Sequence, residues 1–260
     1  MLTITVVTVT YNAAATIEET VRSVLAQDYR EIEYLIVDGA STDGTLDIIR
    51  RYAALDDRIV YISEPDKGLY DAMNKGAHLA KGDYIHFLNS GDLYYDDKVL
   101  SSIATELNKG ADIVYGDIVY VYNDGSRRIR KYSDFCSTYL YYLLGDCINH
   151  QAMFVSKRCF DEQTFNLTYR ISADREWMIR QKKAGRIFRS TDRLICYYSL
   201  DDNSMSVKNE SLTWQENDMI IKRNLPAGYY LYAFINLIRN GSFSSKVLHK
   251  LYELVFIRKE

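Results

Sequence analysis

The strongest constraint on this chain is a repeat in its first ninety residues, where apolar, β-branched runs begin near Ile4, Glu33, Arg58 and Tyr84, one every 25 to 29 residues. Each interval has room for a strand, a helix and two turns. After the first run, Ile17, Val21, Val24 and Leu25 fall on one helical face, and Thr16-Ile-Glu-Glu19 has the pattern of a capping box. Further helices are predicted at about 45–52 and at 69–79, with strands at 4–9, 34–37, 59–62 and 84–88. Right-handed crossovers between such strands build a parallel sheet with helices on both faces, an α/β architecture.

Past residue 95 the rhythm changes. Residues 113–122, the Asn123-Asp-Gly125 turn and residues 126–130 read as a hairpin. A helix is predicted at 135–144, a strand at 151–155, and a helix at 174–183 that Gly185 stops. From about Ser206 the pattern is helical only, at 210–223, 229–239 and 245–258. The expected organisation is one domain over 1–205, its halves meeting near residue 95, and a helical extension over 206–260.

With 47% hydrophobic residues and two prolines in 260, the chain has material for a large core. Its net charge of −3 supplies no general field toward nucleic acid or anionic lipid, so nucleic acid is not an expected partner. Cys136, Cys147, Cys159 and Cys196 form no CxxC pair and have no histidine at zinc spacing, which makes them buried small hydrophobes in a reducing cytosol. The N-terminus reads as a first strand, and no run of ~18 apolar residues is available to span a membrane.

In an open parallel sheet, ligands bind at the carboxyl ends of the strands. The loops there are Thr8-Val-Thr-Tyr-Asn12, Asp38-Gly-Ala-Ser-Thr-Asp-Gly-Thr45, Glu64-Pro-Asp-Lys-Gly68 and Asn89-Ser-Gly-Asp92. None is a GxGxxG fingerprint or a GxxxxGK[ST] phosphate loop, which argues against a dehydrogenase or a phosphate-loop NTPase.

These loops, followed by His150-Gln-Ala-Met-Phe154 and Ser172-Ala-Asp-Arg-Glu-Trp177, stand in an order that resembles the family-2 glycosyltransferases. Those are inverting enzymes of the GT-A fold that move a sugar from a nucleotide-diphosphate donor. The resemblance covers residues 3–200 and is nearest to bacterial enzymes of capsule, exopolysaccharide and O-antigen synthesis, the colanic-acid type included. It implies a mostly parallel GT-A sheet, a nucleotide-sugar half over 1–95, an acceptor half over 96–205, and a divalent metal, Mg²⁺ or Mn²⁺. It also implies a nucleotide-diphosphate sugar donor and a saccharide acceptor, free or lipid-linked.

Carried onto this chain, the resemblance puts Thr10, Tyr11, Asn12, Asp38, Asp66, Gly68, Asn74, Lys75, Asn89 and Ser90 on the donor side. Asp38 can accept a hydrogen bond from a pyrimidine imide or a ribose hydroxyl, or it can bond its own turn, which is also the plainer reading of Asp43. Tyr11 and Asn12 can stack on or bond the base, or simply pack at the strand end, and Asp66 matches a second base- or ribose-side acid. Lys75 and Asp71 read equally as solvated helix residues. Asn89-Ser-Gly-Asp92 stands where the family has its DxD metal motif, and only Asp92 is a carboxylate. One carboxylate and two phosphate oxygens suffice for a hard ion that keeps water ligands.

Asp174 opens a helix, where the dipole favours a carboxylate, and matches the family's general base. His150, Gln151 and Arg175 fall on the acceptor and diphosphate side, and His150 reads equally as a satisfied structural histidine. Glu176 reads as helix-surface charge, and His78, His86 and His249 as structural residues. Two readings are open for the aromatic and aliphatic tail, a lipid contact at the inner membrane face or packing on the domain or a second copy, and packing is the commoner fate of amphipathic helices. The function expected is metal-assisted inverting sugar transfer in a cytoplasmic, peripheral enzyme. A nucleotidyltransferase lacks its Gly-rich basic loop here, and a non-catalytic nucleotide-sugar binder leaves Asp174 and Asp92 without a purpose.

Overall fold

The computed structural model describes residues 2–200 and 208–238. Strands β1 (Ile4–Thr10), β2 (Ile32–Asp38), β3 (Ile59–Ser63) and β4 (Tyr84–Phe87) are the four runs of the repeat, joined by α1 (Ile17–Leu25), α2 (Thr45–Ala53) and α3 (Leu69–Leu79). β1 and β4 are buried at every residue, because strands covered on both faces have no solvent side. α1 buries Ile17, Val21 and Val24, as their spacing predicts. α3 lies close on the sheet at Gly76, where a methyl group would run into the Val7 side chain. The capping box does not form. Thr16 has φ −126° and ψ −27° and makes no side-chain cap, its hydroxyl pointing back to the Ala13 carbonyl at 3.4 Å.

The rest of the chain adds β5 (Leu93–Tyr94), α4 (Val99–Leu107), β6 (Ile113–Tyr122), β7 (Arg127–Arg130), α5 (Tyr139–Leu143), β8 (Met153–Ser156), α6 (Lys157–Glu162), α7 (Ala173–Lys183) and β9 (Phe188–Leu200). One sheet runs β3-β2-β1-β4-β8-β6-β9-β5, with β7 paired to β6. The β3-β2-β1-β4 half is parallel, as is the β6–β9 pair, whereas β8, β7 and β5 run against their neighbours. The chain moves outward from β1 to β3 and then returns to β4 on the other side of β1. The loops after β1 and β4 therefore part, and a crevice opens between them.

The predicted hairpin is β6–β7, with Tyr120 paired to Arg128 and Ile118 to Arg130. The helix predicted at 135–144 is interrupted. Asp134–Ser137 is a 3-10 turn, and Thr138 is extended (φ −89°, ψ 155°) before capping α5. The strand predicted from Gln151 begins at Met153, because His150–Ala152 is a single 3-10 turn. α4 and β9 were not anticipated. α4 did carry a signal, since Val99, Leu100, Ile103, Ala104 and Leu107 are its buried face. β9 has only Ile195 and Cys196 fully buried among thirteen residues, so no alternation marks it.

The extension contributes α8 (Glu210–Asn224) and α9 (Tyr229–Leu237), which bury Ile220, Ile221 and Tyr232 in the common core. The expected boundary at 205/206 and the helix expected at 245–258 lie outside the described residues. Among the described residues no helix is long and apolar enough to cross a membrane.

Candidate active site

The loops after β1, β2 and β3 interlock before any ligand enters. Register pairs Thr10 with Asp38. The Asp38 side chain is buried and accepts hydrogen bonds from the Ser41 amide at 3.1 Å and the Ser63 hydroxyl at 2.6 Å. Asp38 thus bonds its own turn and the next strand, and the buried Thr10 hydroxyl beside it has no partner. Asn12 Oδ1 accepts the Thr42 amide at 2.9 Å, while Asp43 accepts from Ala14 N at 3.0 Å and Thr45 N at 3.1 Å. Asp43 is a loop pin, and the Thr45 hydroxyl bound to it holds its carboxyl below the usual range.

Two non-glycine residues of this pocket, Asn12 (φ 48°) and Ala40 (φ 61°), have left-handed backbone, a conformation that tight packing must enforce. Between them Gly39 gives close approach. A Cβ there would sit 2.5 Å from Asp66 Oδ2 and 3.3 Å from the Tyr11 ring. Tyr11 is 65% exposed and rims the recess beside Asp66, while the Asp38 carboxylate and the unpartnered Thr10 hydroxyl are buried at the paired ends of β2 and β1. A flat heterocycle with imide and hydroxyl donors matches that inventory.

Two donor-side expectations change. Asn74 spends both ends of its amide on Phe165, donating to the carbonyl at 2.9 Å and accepting from the amide at 2.8 Å. Lys75 pairs with Glu64 at 2.8 Å and donates to the Pro65 carbonyl at 2.8 Å. Both side chains shape the loops around the recess instead of facing a ligand. Gly68, at φ 115°, starts α3 in a conformation glycine supplies, and its amide donates to Asp66 Oδ1 at 2.8 Å.

Across the crevice, the turn after β4 carries Asn89, Ser90 and Asp92. Ser90 N donates to the Val9 carbonyl at 3.2 Å, and Gly91, at φ 96°, donates its amide to the Thr20 hydroxyl at 3.0 Å. Asp92 is 4% exposed and accepts from Gln151 Nε2 at 3.2 Å. Burial pushes its carboxyl up to about 7. Asn89 Nδ2 donates to His150 Nε2 at 3.0 Å, which leaves the Nδ1 proton of His150 to donate to Asp174 Oδ2 at 3.2 Å. Asp174 Oδ1 accepts the Arg175 amide at 2.7 Å. The Tyr70 phenol packs beneath, bonded to the Ile171 carbonyl at 2.7 Å, and burial with the neighbouring Asp174 charge pushes its ionisation well above the ordinary value.

Buried Asn89 Oδ1 and Gln151 Oε1 have no partners. Among the described residues there is no group of three or more His, Cys, Asp or Glu that could hold an ion. The donors present fit a hard cation that takes one carboxylate, an amide oxygen and the phosphate oxygens of its substrate.

Arg175 and Glu176 depart from expectation. The Arg175 guanidinium is 2% exposed and donates to the Tyr142 carbonyl, so it braces α5 and does not reach a diphosphate. Glu176 is 4% exposed and pairs with Arg180 at 2.8 Å, so it is not surface charge. Sequence reasoning also missed Asn149, whose Oδ1 accepts from the hydroxyls of Tyr120 and Tyr132. Its position beside His150 was the only local clue.

The family model described as Glycosyl transferase family 2 matches residues 5–182. TuaG of Bacillus subtilis (strain 168), named for teichuronic acid biosynthesis, is 45% identical over 98 residues, 37% of this chain and 38% of that one. A PGL/p-HBAD biosynthesis glycosyltransferase of Mycobacterium bovis (strain BCG / Pasteur 1173P2) is 33% identical over 173 residues, 66% of each chain. The matched stretches thus span less than two thirds of these curated relatives. In fold, the chain superimposes on the crystal structure of S. aureus TarS 1–349 in complex with UDP-GlcNAc with a TM-score of 0.68 at 16% identity, over 98% of this chain and 76% of that one. The mannosyltransferase PcManGT from Pyrobaculum calidifontis, in complex with GDP-Man and Mn²⁺, gives 0.62 at 17% identity, over 99% and 81%. With residues 5–182 of its 260 matched, and with this sheet and crevice, the chain belongs to Glycosyl transferase family 2.

Proposed function

We propose that this protein transfers a sugar from a nucleoside-diphosphate sugar to an acceptor hydroxyl with inversion, in the synthesis of a bacterial cell-surface polysaccharide. The observation that carries the reading is the chain of contacts Asn89–His150–Asp174, which ties the turn after β4 to the start of α7. The names and ligands of the relatives and neighbours support it.

In this reading Tyr11 stacks on the base, Asp66 meets the imide or ribose donors, and Asp38 reaches them by exchanging its contacts with Ser41 and Ser63. Asp92, with the unpartnered Asn89 Oδ1 of the same turn, would hold Mg²⁺ or Mn²⁺, which when bound neutralises the departing diphosphate. His150 donates Nδ1–H to Asp174 and orients it. Asp174 takes the proton of the acceptor hydroxyl as that oxygen attacks the anomeric carbon, and a single displacement inverts the centre. The enzyme works in the cytoplasm, against the inner membrane face where a lipid-linked acceptor is presented.

Titration calorimetry with UDP and GDP, in Mg²⁺, Mn²⁺ or EDTA, tests the donor site and its metal together. Tighter binding with metal, lost in Asp92→Asn, is the expected result. Equal affinity in EDTA removes the metal from the reading, and no binding of either nucleotide removes the donor site. Hydrolysis of a panel of nucleotide sugars then names the donor.

A further inference from the structure

Strands β6, β7 and β9 present a sheet face that the chemistry above does not use. In their registers Tyr120 of β6 stands opposite Tyr198 of β9 and Arg128 of β7, and residues directly opposite share a face. The Tyr120 and Tyr198 ring centroids are 5.7 Å apart, and Tyr122 adds a third ring 6.4 Å from Tyr120. All three rings are half-buried, so each keeps part of its surface open.

This strip joins the reaction centre at both ends. The Tyr120 hydroxyl donates to Asn149 Oδ1 at 3.0 Å, one residue before His150. At the other end Tyr197, which precedes Tyr198, pairs in register with Leu93, the residue after Asp92. A molecule lying on the rings therefore extends from the place where an acceptor hydroxyl must sit. Aromatic faces suit the C–H face of a pyranose, which is flat and weakly apolar.

The charge on the strip narrows the ligand. Arg130 is held by Asp146 and Tyr141, and the Arg127 guanidinium lies 5.1 Å from the Tyr197 ring centroid on the opposite sheet face. Arg128 is exposed, and among the described residues no carboxylate pairs with it. An uncommitted guanidinium fork at the edge of an aromatic platform is suited to a planar carboxylate, which it can bind through two parallel hydrogen bonds.

We propose that Tyr198, Tyr120, Tyr122 and Arg128 form the acceptor subsite, and that Arg128 selects an acceptor carrying a uronate. The inference rests on the glycosyltransferase reading, since an acceptor subsite needs a donor to serve.

The test titrates the full chain with methyl cellobiosiduronate and neutral methyl cellobioside, with UDP and GDP titrated in parallel. Wild type should bind the uronate about tenfold more tightly, and Arg128→Gln should bring the two affinities together. Arg127→Gln, the same charge change on the other face, should leave the preference intact. Tyr122→Ala should weaken both disaccharides by the same factor. A wild type that binds nucleotide without preferring the uronate overturns the subsite. So does an Arg128→Gln preference equal to wild type, or a loss as large in Arg127→Gln. Unchanged affinities in Tyr122→Ala overturn the stacking role of the rings. A wild type that binds neither nucleotide counts against the donor reading, and the disaccharide ratio still decides the subsite.

Discussion

The Oε2 atom of Glu216 accepts the backbone amide of Ser172 at 2.9 Å, across 44 residues of chain. The same carboxylate takes the amides of Ile171 at 3.0 Å and Arg170 at 2.7 Å, and Glu216 is 2% exposed. These three amides lead into α7, whose second residue is Asp174. α8 therefore holds the entrance of the helix that carries the proposed base, and the C-terminal extension is part of the site's scaffold.

Glu216→Gln replaces one acceptor oxygen with an NH₂ that faces amide donors, leaving them unsatisfied at a cost of about 2 kcal/mol. Urea melts should show that loss. Turnover, measured where the variant is still folded, should fall by more than nucleotide affinity does. A destabilised variant with unchanged turnover would confine Glu216 to stability.

Asp174→Asn keeps the shape of the base and removes its proton affinity. Donor binding should be unchanged and transfer should fall ~10²-fold or more. Near wild-type turnover would move the base elsewhere, with His150 the next candidate because it is the group in contact with Asp174.

Gly39→Ala places a methyl group 2.5 Å from Asp66 Oδ2 and 3.3 Å from the Tyr11 ring. The atoms it meets belong to side chains and not to backbone, so they can give way and the thermal midpoint should shift little. Nucleotide affinity should drop about tenfold or more, as the carboxylate and ring move out of register. Affinity equal to wild type would take Asp66 and Tyr11 out of the donor recess.

His86 is fully buried between Phe154 and Tyr94, with Nε2 on the Gln151 carbonyl at 2.9 Å, and burial lowers its pKa to about 4. Between pH 6.5 and about 4 the unfolded chain takes up a proton there and the folded chain does not. Its contribution is complete above pH 6.5 and is lost as pH falls, by about 3 kcal/mol at the bottom of the window. Denaturant melts at pH 7.5, 5.5 and 4.5 check it. The stability difference between wild type and His86→Gln should shift toward the variant as pH falls, and a pH-independent difference would rule the linkage out.

Much of the framework was legible because its signals are local. The four apolar runs, the helix faces of α1 to α3 and the Asn123-Asp-Gly125 turn each depend on residues within a few positions of one another, and β1 to β4, α3 and the β6–β7 hairpin follow them closely. Local signals also misled. The Thr16 pattern promised a cap that the backbone angles do not allow, and the Glu176 position at a helix start suggested exposure where the fold buries it.

The sequence by itself determined the repeating α/β units, the loops where chemistry gathers and the residue types those loops carry. Only the tertiary structure decided what each side chain does, because its partner lies far along the chain. Asn74 meets Phe165 across 91 residues, Asn89 meets His150 across 61, and Glu216 reaches Ser172 across 44. Strand order and helix packing set those separations, and periodicity within a window of residues carries no information about them. For that reason Asp92 and Asp174 were visible as candidates in the sequence, whereas the engagement of Lys75 and Arg175 elsewhere, and the support that Glu216 gives to α7, belong to the fold alone.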